Sequence, residues 1–134
     1  MFEILEHPAD IGIRAEGRTF AEALEQSVAG LAAIATGGRP VAGGDTRPVE
    51  VSGSPEEQVI AVLEECLFLI DADGWIAGGA TLSVDGQRVV GTLAGELFDR
   101  ERHEHGVHVK AITWHQLSVS VAAERCQIVV YVDI

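Results

Sequence analysis

The residues of this chain best suited to chemistry lie near its two ends. The stretch His7-Pro8-Ala9-Asp10 places an imidazole and a carboxylate at the start of a predicted strand, and the proline stiffens the backbone between them. The printed sequence ends with Asp133-Ile134 after a strongly apolar run, so we expect a terminal carboxylate on Ile134 beside Asp133. Imidazole and carboxylate groups both bind metals. Each stretch also has a plainer interpretation: a turn aspartate for Asp10 and a solvated tail for Asp133.

The two aspartates form one site only if the fold brings them together. Asp10 begins its predicted strand and Asp133 ends another. If those strands are antiparallel neighbours, both carboxylates lie at the same edge of the sheet. Two or three oxygen ligands favour a hard cation such as Ca²⁺ or Mg²⁺ over zinc. The pattern supports the hypothesis of a divalent-cation site at Asp10 and Asp133, with the carboxylate of Ile134 beside them.

A lysine, Lys110, follows a histidine-rich connection. Alternation of apolar and polar residues predicts that Lys110 shares a strand face with His108 and Ile112. There it either protects an edge strand or pairs with a carboxylate or phosphate. The spacing of the connection matches no zinc signature, and neither cysteine is near it, so a solvated loop competes with a transition-metal site. The side chains concerned are Asp99, His103, His105 and His108.

Two helices are predicted from their ends and their apolar spacing. The first begins at the capping box Thr19-Phe20-Ala21-Glu22 and ends at Gly37-Gly38. The second begins at Ser54-Pro55-Glu56-Glu57, with proline at its first position, and ends at Asp73-Gly74. Each helix has one apolar face to bury, most simply against a sheet.

The remaining segments have the alternation and turn residues of strands. A hairpin turn is predicted at Asp85-Gly86 or Gly86-Gln87. The run 128–132 is apolar on both faces, which predicts a central strand. We expect a single α+β domain over residues 1–134, in which two helices pack on a mixed or antiparallel sheet. The sequence does not give the strand order. The other predicted strands are 11–15, 47–51, 82–84, 88–98, 107–112 and 117–121.

Composition excludes several classes of function. The 9 Lys and Arg against 21 Asp and Glu give a net charge of −12, which argues against direct binding of nucleic acid or an anionic membrane. The same charge suits a metal cation or a basic protein partner. Cys66 and Cys126 lie in apolar runs, which favours free thiols in a reducing cytoplasm. We find no leader or membrane-spanning stretch. Most enzymatic signatures are absent as well, since the sequence has no P-loop, nucleophile elbow or H-E-x-x-H motif.

Several of these stretches, in this order, make the sequence similar to the archease family. The combination of the H-x-A-D opening, the V-K-A-x-T-x-H strand and the D-I ending carries the resemblance, and together with the intervening matches it spans nearly the whole chain. Pro8 stands where the family usually has threonine, and Trp114 where it usually has tyrosine. The matching stretches are 7–13, 17–23, 95–99, His103, 109–115 and 132–134.

The resemblance implies a protein cofactor with an archease-like fold, and not an enzyme in its own right. Archeases help RtcB-type RNA ligases in tRNA splicing, by stimulating the guanylyl-histidine intermediate and multiple turnover. The resemblance also implies a metal site at Asp10 and Asp133, with Lys110 as a further essential residue. A role for His7 is a weaker extension. A role for Ile134 rests on its carboxylate alone. The expected cofactor is a divalent cation, Ca²⁺ with Mg²⁺ or Mn²⁺ as alternatives.

Two other functions remain open at the level of sequence. A small metal-dependent phosphoester hydrolase could use the same aspartates with a histidine as general base. A non-catalytic module could dock a basic partner through its acidic surface. The sequence does not give the oligomeric state, the metal or the RNA that the partner ligase joins.

Overall fold

The structure, a computed structural model, describes residues 1–6 and 10–134, so the predicted roles of His7 and Pro8 lie outside the described residues. This part of the chain contains seven strands and three helices. They are β1 (Phe2–Glu6), β2 (Asp10–Gly17), α1 (Phe20–Thr36), β3 (Asp45–Ser52), α2 (Pro55–Asp73), β4 (Trp75–Asp85), β5 (Arg88–Leu97), α3 (Arg100–His103), β6 (Ala111–Ala122) and β7 (Arg125–Asp133).

Local capping explains where the two long helices begin and end. The Thr19 hydroxyl accepts the Glu22 N–H at the start of α1, and Ser54 and Glu57 form the reciprocal capping box of α2. Each helix ends at a glycine in the left-handed region, with φ 65° at Gly37 and 61° at Gly74. Because only glycine adopts this conformation at little cost, both predicted ends are confirmed.

The strands form two antiparallel sheets. Sheet A has the order β1-β2-β7-β6, and sheet B has the order β3-β5-β4. Both long helices contact strands of each sheet: α1 packs on β2 and β4, and α2 on β6 and β3. The α+β class and the interior position of the last strand are confirmed. The sequence pattern predicted a single sheet, whereas the structure has two because β3, β4 and β5 pair only among themselves.

The segment 107–110 corrects one predicted strand. It alternates as a strand would, but the ladder of β6 begins at Ala111. The Val107 N–H donates to the Ile34 carbonyl oxygen at 3.2 Å, so this segment first follows the end of α1 and not a strand. The prediction that Lys110 shares a strand face with His108 and Ile112 is therefore wrong.

Two further strand segments were not predicted. β1, near the start of the chain, pairs antiparallel with β2, and β4 begins at Trp75, seven residues before the predicted Leu82. Trp75 is fully buried, and its Nε1 donates to Asp45 Oδ2 at 3.0 Å. None of the described helices has the length and apolar character needed to cross a membrane.

Candidate functional site

The two aspartates singled out in the sequence meet in the structure. β2 and β7 pair antiparallel, and Asp10 is the register partner of Asp133. Paired residues of an antiparallel ladder direct their side chains to the same face, with Cβ atoms about 4.5–5.5 Å apart. We refer to Asp10 and Asp133 as the acidic pair.

The acidic pair lies on the face of sheet A that points away from the helices. Along β7, Val130 and Val132 are fully buried, whereas Tyr131 is half-buried and Asp133 is exposed. The side chains of a strand alternate between the two faces, so Asp133 and Asp10 share the outward face with Tyr131. Two carboxylates therefore stand side by side at one end of a rigid sheet.

Lys110, the residue before β6, lies at the same end of sheet A. Its backbone N–H donates to the Asp133 carbonyl oxygen at 2.8 Å, and the next residue, Ala111, is the register partner of Asp133. Its neighbour Val109 is 3% exposed, which anchors this segment, while the lysine itself is exposed. Three of the five predicted site residues thus come together: Asp10, Asp133 and Lys110.

Ile134 lies next to Asp133, and His7 lies outside the described residues. The Ile134 side chain is partly buried against the hydrophobic core, which holds the end of β7 in place. The contribution of its carboxylate to a metal site stays a prediction.

The acidic pair fits part of the ligand set of a hard cation. Two adjacent carboxylates supply oxygen ligands of the kind that Ca²⁺ and Mg²⁺ take, and Mg²⁺ in particular is often held by one or two carboxylates together with water. Over residues 1–6 and 10–134, no cluster of three or more His, Cys, Asp or Glu side chains could hold a metal. A zinc centre, which needs three or four protein ligands, does not fit the described residues.

A second carboxylate, Glu96, is fully engaged by the chain itself. Its Oε2 accepts the Ala42 N–H at 2.7 Å and His103 Nε2 at 3.0 Å, and its Oε1 accepts Arg102 at 2.8 Å. The Ala42 N–H, the Arg102 guanidinium and the His103 ring lower the pKa of Glu96 to about 2. Glu96 therefore ties the 37–44 loop to α3.

His103 is the inner partner of this arrangement, and it is fully buried. The Asp99 N–H donates to His103 Nδ1 at 2.7 Å. A backbone N–H can only donate, so Nδ1 accepts and the ring proton is on Nε2, which donates to Glu96. The predicted loop histidine is instead a structural hydrogen-bonding residue. Exposed His105 turns its Nε2 to the Glu101 carbonyl oxygen at 2.8 Å, so the histidines do not converge on a common site.

Sequence reasoning missed two features beside the acidic pair. A Cβ atom added to Gly12 would lie 2.7 Å from Tyr131 Cε2, so the tyrosine ring packs directly on the glycine. The ladder between β6 and β7 is interrupted between Thr113 and Ser118, so residues 114–117 lie opposite Val130 alone. This bulge exposes Trp114. Gly12 and His115 both lie in motifs that carry the resemblance. Their neighbours in space follow only from the pairing registers of β7 with β2 and β6, which the sequence does not give.

Comparison with known proteins identifies the family. Residues 2–134 match the model of the Archease protein family. "Protein archease" of Thermococcus gammatolerans is 36% identical over 123 residues, which cover 88% of this chain and 87% of that protein. "Protein archease" of Pyrococcus furiosus has the same identity over the same length and shares.

Two solved structures are similar to this fold. The solution structure of a protein from Methanobacterium thermoautotrophicum has a TM-score of 0.76 and 25% identity, covering 99% of this chain and 98% of that one. A Thermotoga maritima crystal structure, described as an archease and possible chaperone, has a TM-score of 0.67, with 100% and 98% coverage. At 19% identity, this second likeness concerns the fold alone. With a family model matched over residues 2–134 and relatives at 36% identity, this chain belongs to the archease family.

Proposed function

We propose that this chain is a protein activator of an RtcB-type RNA ligase, in tRNA splicing or RNA repair. In this role it stimulates formation of the ligase's guanylyl-histidine intermediate and allows multiple turnover, and it catalyses no reaction alone. The observation that carries the proposal is the register pairing of Asp10 with Asp133 in a chain of the archease family. Asp133 is exposed at this end of the sheet, where another protein can reach it.

In this proposal the acidic pair enters or abuts the nucleotide pocket of the ligase. A divalent cation held by Asp10 and Asp133, Ca²⁺ first and Mg²⁺ or Mn²⁺ as alternatives, would supply positive charge to the triphosphate. The two carboxylates orient this charge because the β2–β7 ladder positions both of them. Lys110, held beside Asp133 by its backbone, contributes a cationic side chain within the same sheet end. His7 and the Ile134 carboxylate are proposed as additional contributors.

The charge of the chain supports a protein partner over an RNA partner. A net charge of −12 repels phosphate backbones, whereas the surface of an RNA ligase must be basic where it holds RNA. Opposite charge accelerates the encounter of two proteins and orients it. We therefore propose that the chain contacts the ligase and not its RNA, and that it acts in the cytoplasm.

The direct test is a guanylylation assay with purified ligase and labelled GTP. Wild-type protein should increase the yield of ligase–GMP adduct, and Asp10→Ala and Asp133→Ala should each abolish most of that stimulation. Glu124→Ala is the matched control, because Glu124 is an exposed acid at the turn between β6 and β7. It should stimulate as the wild type does.

Three outcomes would contradict the proposal. Equal stimulation by the wild type and both aspartate variants would remove the acidic pair from the mechanism. No stimulation by the wild type would remove the activator role itself. Hydrolysis of nucleotide or phosphoester by the chain alone, lost in Asp133→Ala, would support the metal-dependent hydrolase instead.

A further inference from the structure

A groove runs between the second half of α2 and the segment 104–112. Two cavities of about 230 Å³ and about 260 Å³ form it, and Leu67 and Asp71 line both of them, so the two adjoin. The first cavity has a mainly apolar lining that includes Phe98 and Val109. The second extends along α2 to Lys110.

One stripe of α2 forms the wall of this groove. Glu64, Leu67, Phe68 and Asp71 follow the i, i+3, i+4, i+7 spacing that places side chains on one helix face. The stripe is acidic at both ends and apolar in the middle. Phe68 is 53% exposed, which is unusual for a large aromatic side chain on a helix that otherwise buries its apolar residues.

Two of the exposed apolar side chains lie along this groove. Phe68 lines the second cavity, and Val107, which is 42% exposed, lines the first. An exposed aromatic side chain on a concave surface is suited to contact an apolar side chain from another protein. Such a contact removes apolar surface from water, which makes it favourable.

The rim of the groove is acidic. Within the described part of the chain, neither Glu64 nor Asp71 takes part in an ion pair, so both carboxylates keep their charge for a partner. Glu104, at the other side, is paired with Arg100 at 2.9 Å. Asp71 also lies in the last turn of α2, where a negative charge opposes the helix dipole. Because the Asp71 carboxylate destabilises the end of α2, we attribute its presence to a contact with another molecule.

We propose that this groove docks a basic segment of the partner protein, in which an apolar side chain is flanked by Arg or Lys. The apolar side chain packs on Phe68 in the second cavity, and the flanking cations meet Glu64 and Asp71, which line the same cavity. This inference rests on the proposed function and extends it, because it separates the surface that binds the ligase from the acidic pair that acts on it.

The position of the groove supports this division. Lys110 lines the groove, whose other wall is α2, and its backbone N–H donates to the carbonyl oxygen of Asp133. The acidic pair lies on the opposite face of sheet A, which points away from the helices. The groove and the acidic pair are therefore separate surfaces at the same end of the sheet, so a substitution in one leaves the other intact.

The test measures ligase binding and ligase stimulation separately for groove variants. Phe68→Ala and Asp71→Lys should each raise the dissociation constant of the full-length complex about tenfold or more, as central interface residues do. Stimulation of guanylylation at saturating concentration should be preserved, because the acidic pair is intact. Asp133→Ala should show the reverse: near-normal binding and no stimulation.

Two matched controls isolate the groove from general effects. Glu124→Lys changes the net charge by the same amount as Asp71→Lys but lies away from the groove, and Val121→Ala truncates another exposed apolar residue. Both should bind within about twofold of the wild type. Circular dichroism verifies that all four variants fold, which is expected because the replaced side chains are exposed.

The remaining outcomes overturn one idea or the other. Wild-type affinity in Phe68→Ala and Asp71→Lys overturns the docking groove but leaves the activator role. Failure of the wild type to bind or stimulate any RtcB-type ligase overturns the activator role. If sedimentation shows a dimer of this chain that Phe68→Ala dissociates, a second copy occupies the groove and the docking proposal is wrong.

Discussion

The acidic pair can be compared with the Glu96 cluster, which consists of Glu96, Arg102 and His103. Both contain carboxylates from family-matching stretches, but they differ in how those carboxylates are satisfied. Glu96 accepts hydrogen bonds from Ala42, Arg102 and His103, and its side chain is 17% exposed. Asp133 is exposed, and no described Lys, Arg or His forms an ion pair with it. The backbone fixes the position of Asp133, while its carboxylate stays available to another molecule.

The difference predicts different roles for the two groups: a structural role for Glu96 and an external contact for the acidic pair. A carboxylate satisfied by its own chain stabilises the native state, because its hydrogen bonds are lost on unfolding. Two like charges placed opposite each other across a ladder cost stability instead. The comparison therefore predicts opposite responses to substitution in the two regions: loss of stability at the Glu96 cluster, and little loss or a gain at the acidic pair.

The largest expected effect on stability is at His103. His103→Ala leaves a cavity in a fully buried site. It also removes the acceptor of the Asp99 N–H and one of the hydrogen bonds to Glu96. We expect the free energy of unfolding to fall by roughly 3 kcal/mol, measured by urea denaturation. His105→Ala is the control: its exposed ring should change stability by less than about 0.5 kcal/mol. A similarly small loss of unfolding free energy in both variants would show that His103 does not stabilise the fold.

The second effect tests the packing of Tyr131 on Gly12 beside the acidic pair. Gly12→Ala places a methyl group 2.7 Å from the ring of Tyr131, so the ring must move. We expect a loss of about 1–3 kcal/mol in thermal or urea unfolding. Tyr131→Ala in the same background should recover part of that loss. Additive losses in the double variant would contradict the direct contact as the cause.

Local features of this fold were predictable, whereas its long-range pairings were not. Both helix ends followed from Thr19, Ser54, Gly37 and Gly74, because capping involves residues a few positions apart. The pairing of Asp10 with Asp133 depends on two strands from opposite ends of the chain becoming neighbours. The sequence stated the condition, antiparallel adjacency, but no local signal supplied the register.

Residues outside regular strands were the hardest to interpret. The alternation of 107–112 has the period of a strand, yet main-chain bonds from Val107 to Ile34 and from Lys110 to Asp133 take the place of a ladder before Ala111. His103 has charged neighbours on both sides in sequence, so its complete burial follows only from α3 folding onto Glu96. In each case tertiary contacts overrode the local pattern.

A third prediction uses pH to sharpen the comparison at Glu96. The pKa of Glu96 is lowered from 4.5 to about 2 in the folded chain, chiefly by the Ala42 N–H and Arg102. A lowered folded-state pKa stabilises the fold above the unfolded value and loses that effect as pH falls through the folded value. The stability difference between wild type and Glu96→Gln should therefore be full at pH 7 and shrink between pH 4.5 and about 2.

Melting temperatures across this pH range provide the measurement, with Glu124→Gln as the control, since its carboxylate is exposed. The control difference should stay flat over the same interval. If the difference between wild type and Glu96→Gln is also flat, the carboxylate charge does not hold the 37–44 loop to α3.

The smallest expected change in stability is at the acidic pair, and its sign decides the comparison. Asp133→Asn removes one of two like charges paired across the β2–β7 ladder. Without divalent cations, we expect the free energy of unfolding to stay level or rise by about 0.2–1 kcal/mol. Added Ca²⁺ should raise the melting temperature of the wild type, because a ligand that binds only the folded state stabilises it. It should leave Asp133→Asn unchanged. If Ca²⁺, Mg²⁺ and Mn²⁺ all fail to stabilise the wild type while Asp133→Asn lowers its stability, the acidic pair belongs with Glu96 as a structural feature, and the proposed cation site is wrong.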